Sequence, residues 1–170
     1  MSNDVSFLEL LEVHQWLDQL FLAHQTSLLS LEIDAARECL NRYRMELAQH
    51  INDEEQRLIP LYKARTNHVP GGAVELFTGE HEKLKNFLGE FDETLQRLRP
   101  RNDLALKHQI IQLFDRQPIF KGLTEHHHAR EQNILFPWLD RVTSTAEKIS
   151  LLAQCDSLTA FQAFSAGAKL

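Results

Sequence analysis

Through most of the chain apolar residues recur at alternating intervals of three and four, the spacing that lines up one face of an α-helix. The row Phe7, Leu10, His14, Leu17, Phe21, His24 and Leu28 predicts a helix over about 6–30, with Ser6-Phe7-Leu8-Glu9 as its capping box. Leu31-Glu32-Ile33-Asp34 is a short connection with Asp34 as the next N-cap, so the following helix, about 34–63, must run back beside the first. Its inward row is Leu40, Tyr43, Leu47, His50, Glu54, Leu58 and Leu61. The run from Arg65 to Gly72 holds a proline and a glycine pair and has no period, which marks a loop. A third helix carries the cleanest stripe, Val74, Phe77, His81, Leu84, Leu88, Phe91, Leu95 and Leu98, and stops before Arg99-Pro100.

Asn102-Asp103 then caps a fourth helical segment, which is expected to kink or break near 116–119, because Pro118 removes a backbone donor and Gly122 weakens the next turn. The inward row beyond that point is Phe120, Leu123, His127, Glu131, Ile134 and Trp138. Ser144-Thr145-Ala146-Glu147 predicts a second capping box and a last helix to about 163, with a fraying tail over Ser165 to Leu170. The pattern as a whole predicts an all-α fold: an up-down-up-down antiparallel four-helix bundle over residues 1–142, followed by a C-terminal helical extension over 143–170.

Polar residues interrupt these stripes in a repeated way. His50-x-x-x-Glu54-Glu55-x-x-Leu58-x-Pro60 and His127-x-x-x-Glu131-Gln132-x-x-Leu135-x-Pro137 share the string H-x-x-x-E-[EQ]-x-x-L-x-P. Residues four apart stand above one another on a helix, so each copy aims an imidazole and a carboxylate at one point. The overlay selects His127 from the three consecutive histidines, and His126 and His128, about 100° away on either side, are expected at the solvated surface. His14 and His81 occupy the same kind of inward position on the first and third helices.

The four histidines also agree in height. His14 lies eighteen residues before position 32 and His50 eighteen after it, so an antiparallel hairpin sets them level. His50 and His81 match across the next loop to within a turn. The offset of six between His81 and His127 is one that a break at Pro118 would absorb. His24 lies ten residues along from His14, about 15 Å away, and is expected to be an ordinary core histidine whose replacement by Leu costs little. Four histidines and two glutamates inside an apolar seam would cost several kcal/mol unless ion pairs or a cation compensate. Imidazole with carboxylate suits iron, manganese or zinc, and six donors exceed what one tetrahedral ion needs. Two ions are expected, with each glutamate bridging both and the histidines capping them in pairs.

In that order on four helices, His14, His50-x-x-x-Glu54, His81 and His127-x-x-x-Glu131 resemble the hemerythrin, or HHE cation-binding, family over about residues 6–140. The resemblance implies a site of two Fe ions, carboxylate- and oxo- or hydroxo-bridged, with Mn or Zn as possible substitutes, that meets dioxygen, nitric oxide or peroxide. The oxygen carriers of that family use five histidines, and the four here place the likeness nearer its sensing and iron-centre-repair members. The cysteine-bearing N-terminal domain of the repair type is not expected here.

Nine histidines are the conspicuous feature of the composition. A net charge of −6 gives no basic stripe for nucleic acid or anionic lipid, and 43% hydrophobic residues suffice for one buried core. No apolar run is long enough to span a membrane, and the polar, acidic start lacks the form of a leader, which together predict a cytoplasmic protein. Cys39 and Cys155 lack metal or redox spacing and are expected to be structural thiols. With no nucleophile triad or phosphate loop visible, any catalysis would be that of a metal-based oxidoreductase acting on nitric oxide, peroxide or oxygen. The alternatives are an iron- or oxygen-responsive module without turnover, reported by the C-terminal helix, and a store or donor of labile iron.

Overall fold

The computed structural model describes residues 5–167, and among these every regular element is helical. A 3-10 turn, Phe7–Leu10, leads into α1, Leu11–Leu29. The Ser6 hydroxyl caps it by accepting from Leu8 N–H, but Glu9 does not complete the box. Each of the seven inward positions expected on this helix is buried. The chain then reverses through Leu31, at φ 61°, with Glu32 N–H donating to Ser27 carbonyl at 2.9 Å, and α2 begins at Ile33. Asp34 is therefore inside the first turn, where it pairs with Arg37, and Glu32 holds the cap position.

The second helix is not uniform. After α2, Ile33–Asp53, the backbone widens into a π-helical turn, Glu54–Leu58, before α3, Ile59–Arg65. The same happens after α5: a π-turn over Glu131–Leu135 precedes α6, Phe136–Val142. In both places the residue before proline donates to the carbonyl five back, Ile59 to Glu54 and Phe136 to Glu131. Pro60 and Pro137 have no N–H to continue the i−4 ladder, and a turn one residue wider leaves that donor out. The extra residue advances the buried face. From the last residue of each turn onward the buried side chains are Leu58, Ile59 and Tyr62, and Leu135, Phe136 and Leu139, while the expected Leu61 and Trp138, and Ile134 within the second turn, are only half-buried.

Helix α4, Val74–Arg97, follows the 66–73 loop, where Tyr62 Oη donates to Gly72 carbonyl at 2.9 Å and a Cβ on Gly72 would lie 2.4 Å from that hydroxyl. Its C-terminal carbonyls, those of Leu95 and Leu98, accept from the Arg37 guanidinium at 2.9 and 2.6 Å, which fixes α4 against α2.

Helix α5 is continuous from Leu104 to Arg130, with Asp103 accepting from Leu106 N–H at its start. Of the kink or break expected near 116–119, the break is absent, since one helix runs through Pro118. Pro118 is exposed, so its ring meets solvent, while buried Leu113, Gln117 and Phe120 hold the flanking turns in place. The height offset between His81 and His127 is absorbed instead by the connection: His81 is sixteen residues from the end of α4 and His127 twenty-three from the start of α5. The 98–103 segment must therefore travel about 10 Å along the axis, within reach of six residues.

Helix α1 packs on α2, α2 on α4, α4 on α5 and α5 back on α1. The capping box at Ser144 and Glu147 forms as expected and opens α7, Thr145–Leu152. The last helix is divided, because the chain turns at 153–155 and restarts as α8, Asp156–Gly167, which lies on α1 and α2. Of the tail expected to fray, Ser165 to Gly167 are helical, and residues 168–170 lie outside the described residues. Cys39 and Cys155 are both free thiols, the second buried with its pKa pushed up to about 12 by that burial. Among the described residues no helix is long and apolar enough to cross a membrane.

Candidate metal centre

The six side chains singled out in the sequence meet in the core, one histidine from each of α1, α2, α4 and α5 and one glutamate from each π-turn. None is more than 4% exposed. Their donor atoms form two groups, His14, His50, Glu54 and Glu131, and Glu54, His81, His127 and Glu131, each with all atoms within 4.8 Å of one another. The equal heights inferred for His14 and His50 hold: their Nε2 atoms are 2.9 Å apart, and those of His81 and His127 are 3.1 Å apart.

Each carboxylate reaches both histidine pairs. Glu54 places Oε1 3.4 Å from His50 Nε2 and Oε2 3.1 Å from His81 Nε2. Glu131 places Oε2 3.2 Å from His14 Nε2 and Oε1 2.7 Å from His127 Nε2. The π-turns begin at these two glutamates, so the widened backbone sits where the carboxylates enter the core.

These distances fit a metal better than a hydrogen-bonded core. Adjacent donors about 2.1 Å from one ion stand roughly 3.0 Å apart on an octahedron and somewhat farther on a tetrahedron. The shortest contacts within the groups, 2.7 to 3.4 Å, fall around that spacing, while His81 Nε2 and Glu131 Oε1 stand 4.0 Å apart. A hydrogen-bonded core would need a proton for every such pair, and the groups do not supply them: Glu54 Oε1 and both oxygens of Glu131 are buried without a well-directed donor.

Charge within the cluster is unevenly held. Burial raises the Glu54 carboxyl to about 8, reinforced by the negative charge of Glu131, while Glu131 itself is held well below the usual range because His127, His14 and His81 outweigh its burial. Burial alone would depress His81 and His127, but the carboxylates of Glu131 and Glu54 beside them carry them up, to about 9 and about 10. His50 is driven well below its ordinary value, first by burial and then by His14. With His81 and His127 raised and Glu54 near 8, the metal-free core at neutral pH carries protons that a bound cation would displace.

Several neighbours were not visible in the repeat. Glu55 accepts from His81 Nδ1 at 2.8 Å, and Glu80 from His127 Nδ1 at 3.1 Å. Arg130 holds Glu80 through Nη2 at 3.0 Å and reaches Gly71 carbonyl through Nη1 at 2.7 Å. Glu55 occupies the [EQ] position of the motif, a signal that was present but gave no role; its counterpart Gln132 is exposed. His126 is exposed as expected, but His128 is half-buried. Its ring stacks on His14, centroids 3.8 Å apart and nearly parallel, because α5 lies against α1 on that side. His24, fully buried, makes no contact with the cluster: its Nδ1 meets Ala36 carbonyl at 2.9 Å and its Nε2 the Gln117 amide at 3.1 Å.

Residues 72–155, just under half of the chain, match the family model of the hemerythrin HHE cation binding domain, so the resemblance drawn from the sequence is shown over that segment. The match takes in His81, His127 and Glu131, while His14, His50 and Glu54 lie before it. No curated protein and no solved structure matches the chain.

Proposed function

We propose that the hemerythrin-type segment and the helices before it form one up-down-up-down bundle, α1, α2 with α3, α4, and α5 with α6, that holds a pair of iron ions. His14 and His50 hold one, His81 and His127 the other, and Glu54 and Glu131 bridge them. The observation that carries this reading is the split of the two carboxylates, each offering one oxygen to each histidine pair. A lone ion would leave half of these oxygens buried and unused, at a cost of about 1–3 kcal/mol for each unsatisfied group. The chemistry such an iron pair supplies when bound is the uptake and reduction of dioxygen, nitric oxide or peroxide. The protein's part is to keep the donors dry and aligned, with His14 fixed by its stacking on His128 and the other pair by Glu55 and Glu80. Anaerobic loading with ferrous ion tests the reading. Two irons per chain and oxidation of the loaded protein by peroxide or dioxygen are expected, and a stable uptake of one iron or none would overturn it.

A regulatory reading without turnover is favoured by one contact. Asp53, directly before Glu54, accepts through Oδ2 from both the backbone N–H and the hydroxyl of Ser157, at 2.8 and 2.6 Å. The start of α8 is thus tied to the residue next to a proposed ligand, so ligand occupancy can alter how the C-terminal helices are held. Metal-dependent protection of residues 156–167 from hydrogen exchange, with no consumption of nitric oxide or peroxide, would decide for this reading.

A further inference from the structure

The two histidine pairs differ in what lies behind them. At His81 and His127 the ring nitrogen remote from the cluster, Nδ1, donates to a carboxylate, Glu55 Oε1 at 2.8 Å and Glu80 Oε2 at 3.1 Å. At His14 and His50 the corresponding Nδ1 atoms are buried and have no hydrogen-bond partner. On the side away from its Nε2, His14 is held by ring packing, face to face with His128, and it meets His50 edge to face.

This asymmetry bears on metal affinity through the tautomer. A ligating imidazole must keep Nδ1 protonated and offer the Nε2 lone pair. A carboxylate behind Nδ1 holds that proton in place, fixes the ring and makes Nε2 a stronger base. A buried Nδ1 with no acceptor favours the opposite tautomer, with the proton on Nε2, where His14 and His50 have each other and Glu131 as neighbours. Ligation at that pair must move the proton to a position where nothing receives it.

Building on the two-ion reading above, we propose that the sites are unequal by construction: the His81/His127 site is filled first and held tightly, and the His14/His50 site is the labile one. Glu55 and Glu80 are positioning residues that act through His81 and His127. Removing such a partner typically lowers metal affinity about 10- to 100-fold, so two of them set the sites about 100-fold or more apart. Arg130 stabilises the arrangement by clamping Glu80 with contacts at 3.0 and 3.3 Å.

Cobalt(II) titration of the metal-free full chain, followed by its visible absorption and by competition with a chelator, tests this. Two steps are expected. Repulsion between neighbouring ions would also give two steps, so the assignment rests on variants. His50→Ala should remove the weak step and spare the tight one, and His81→Ala should remove the tight one. Glu55→Gln/Glu80→Gln should weaken the first step about 100-fold or more and move the second less than about threefold. Should the double variant fold poorly by circular dichroism, Glu55→Gln alone, at a half-exposed position, should still weaken the first step by about tenfold or more. The proposal is overturned if the Glu55 and Glu80 variants shift both steps alike or neither, or if the first equivalent is lost in His50→Ala. Two ions bound with constants indifferent to Glu55 and Glu80 would sink this inference and leave the two-ion reading standing; absence of metal uptake by the unaltered chain would sink both.

Discussion

Replacing Glu54 with glutamine should stabilise the metal-free protein while removing most of its response to metal. Burial, reinforced by Glu131, raises the folded Glu54 carboxyl from 4.5 to about 8, so at pH 7 the folded chain carries it largely as the neutral acid. The unfolded chain ionises it freely. A carboxyl whose pKa is raised by folding costs stability once pH exceeds the unfolded value, and the cost grows until the folded value is reached. Between 4.5 and 7 it accumulates to roughly 3 kcal/mol. Glutamine has the shape of the neutral acid and no proton to lose, but its amide adds a donor beside His81 Nε2, and part of the gain is lost there. The expectation is a net gain of about 1–3 kcal/mol at pH 7, a rise in Tm of about 2–10 °C for a chain of this size, fading toward pH 4 where neither state ionises the acid. With ferrous ion present at a hundred times its Kd, each bound ion should add about 2.7 kcal/mol to the unaltered chain, whereas Glu54→Gln should gain little. Thermal melts at pH 4 and 7, with metal and with chelator, measure all four arms. A metal-free Glu54→Gln protein that melts lower than the unaltered chain at pH 7, or one that keeps the full metal-induced rise, would refute the reasoning.

Other substitutions test separate parts of the account. His127→Ala should lose metal by elemental analysis, His126→Ala should keep all of it, and His128→Ala, by releasing the His14 ring, should loosen only the second ion. His24→Leu should leave metal content unchanged but, by stripping Gln117 and Ala36 of a buried partner, lower stability by about 1–3 kcal/mol in denaturant unfolding. Gly122→Ala should stabilise by about 0.5–1 kcal/mol, since the helix is continuous through this position and nothing lies within 4 Å of an added Cβ; destabilisation there would mean that α5 is broken after all.

The helices and the six core side chains were legible because one periodicity encodes both: a stripe of apolar residues says which face is buried, and a histidine or glutamate on that stripe is then a polar group placed in the core. What the stripe could not convey is the π-turn. It adds one residue just past each glutamate, which leaves Leu61, Ile134 and Trp138 half-buried at the edge of the core and not fully inside it; the Leu-x-Pro that ends each motif is the local cause. Pro118 misled in the opposite direction, since one lost backbone bond on a solvent-facing turn is outweighed by the buried residues on either side. Glu80 and His128 were hidden for a third reason. Each takes its role from a side chain on another helix, Glu80 on α4 from His127 on α5, and His128 on α5 from His14 on α1, and periodicity within one helix carries no information about what faces it.

The central claim is that six side chains hold two metal ions with both glutamates shared. Anomalous diffraction at the iron edge from crystals of the anaerobically loaded protein tests it most directly. The account predicts two iron peaks per chain, one among His14 and His50 and one among His81 and His127, each in contact with an oxygen of Glu54 and of Glu131. A single peak, or a second one bound away from these residues, would contradict it.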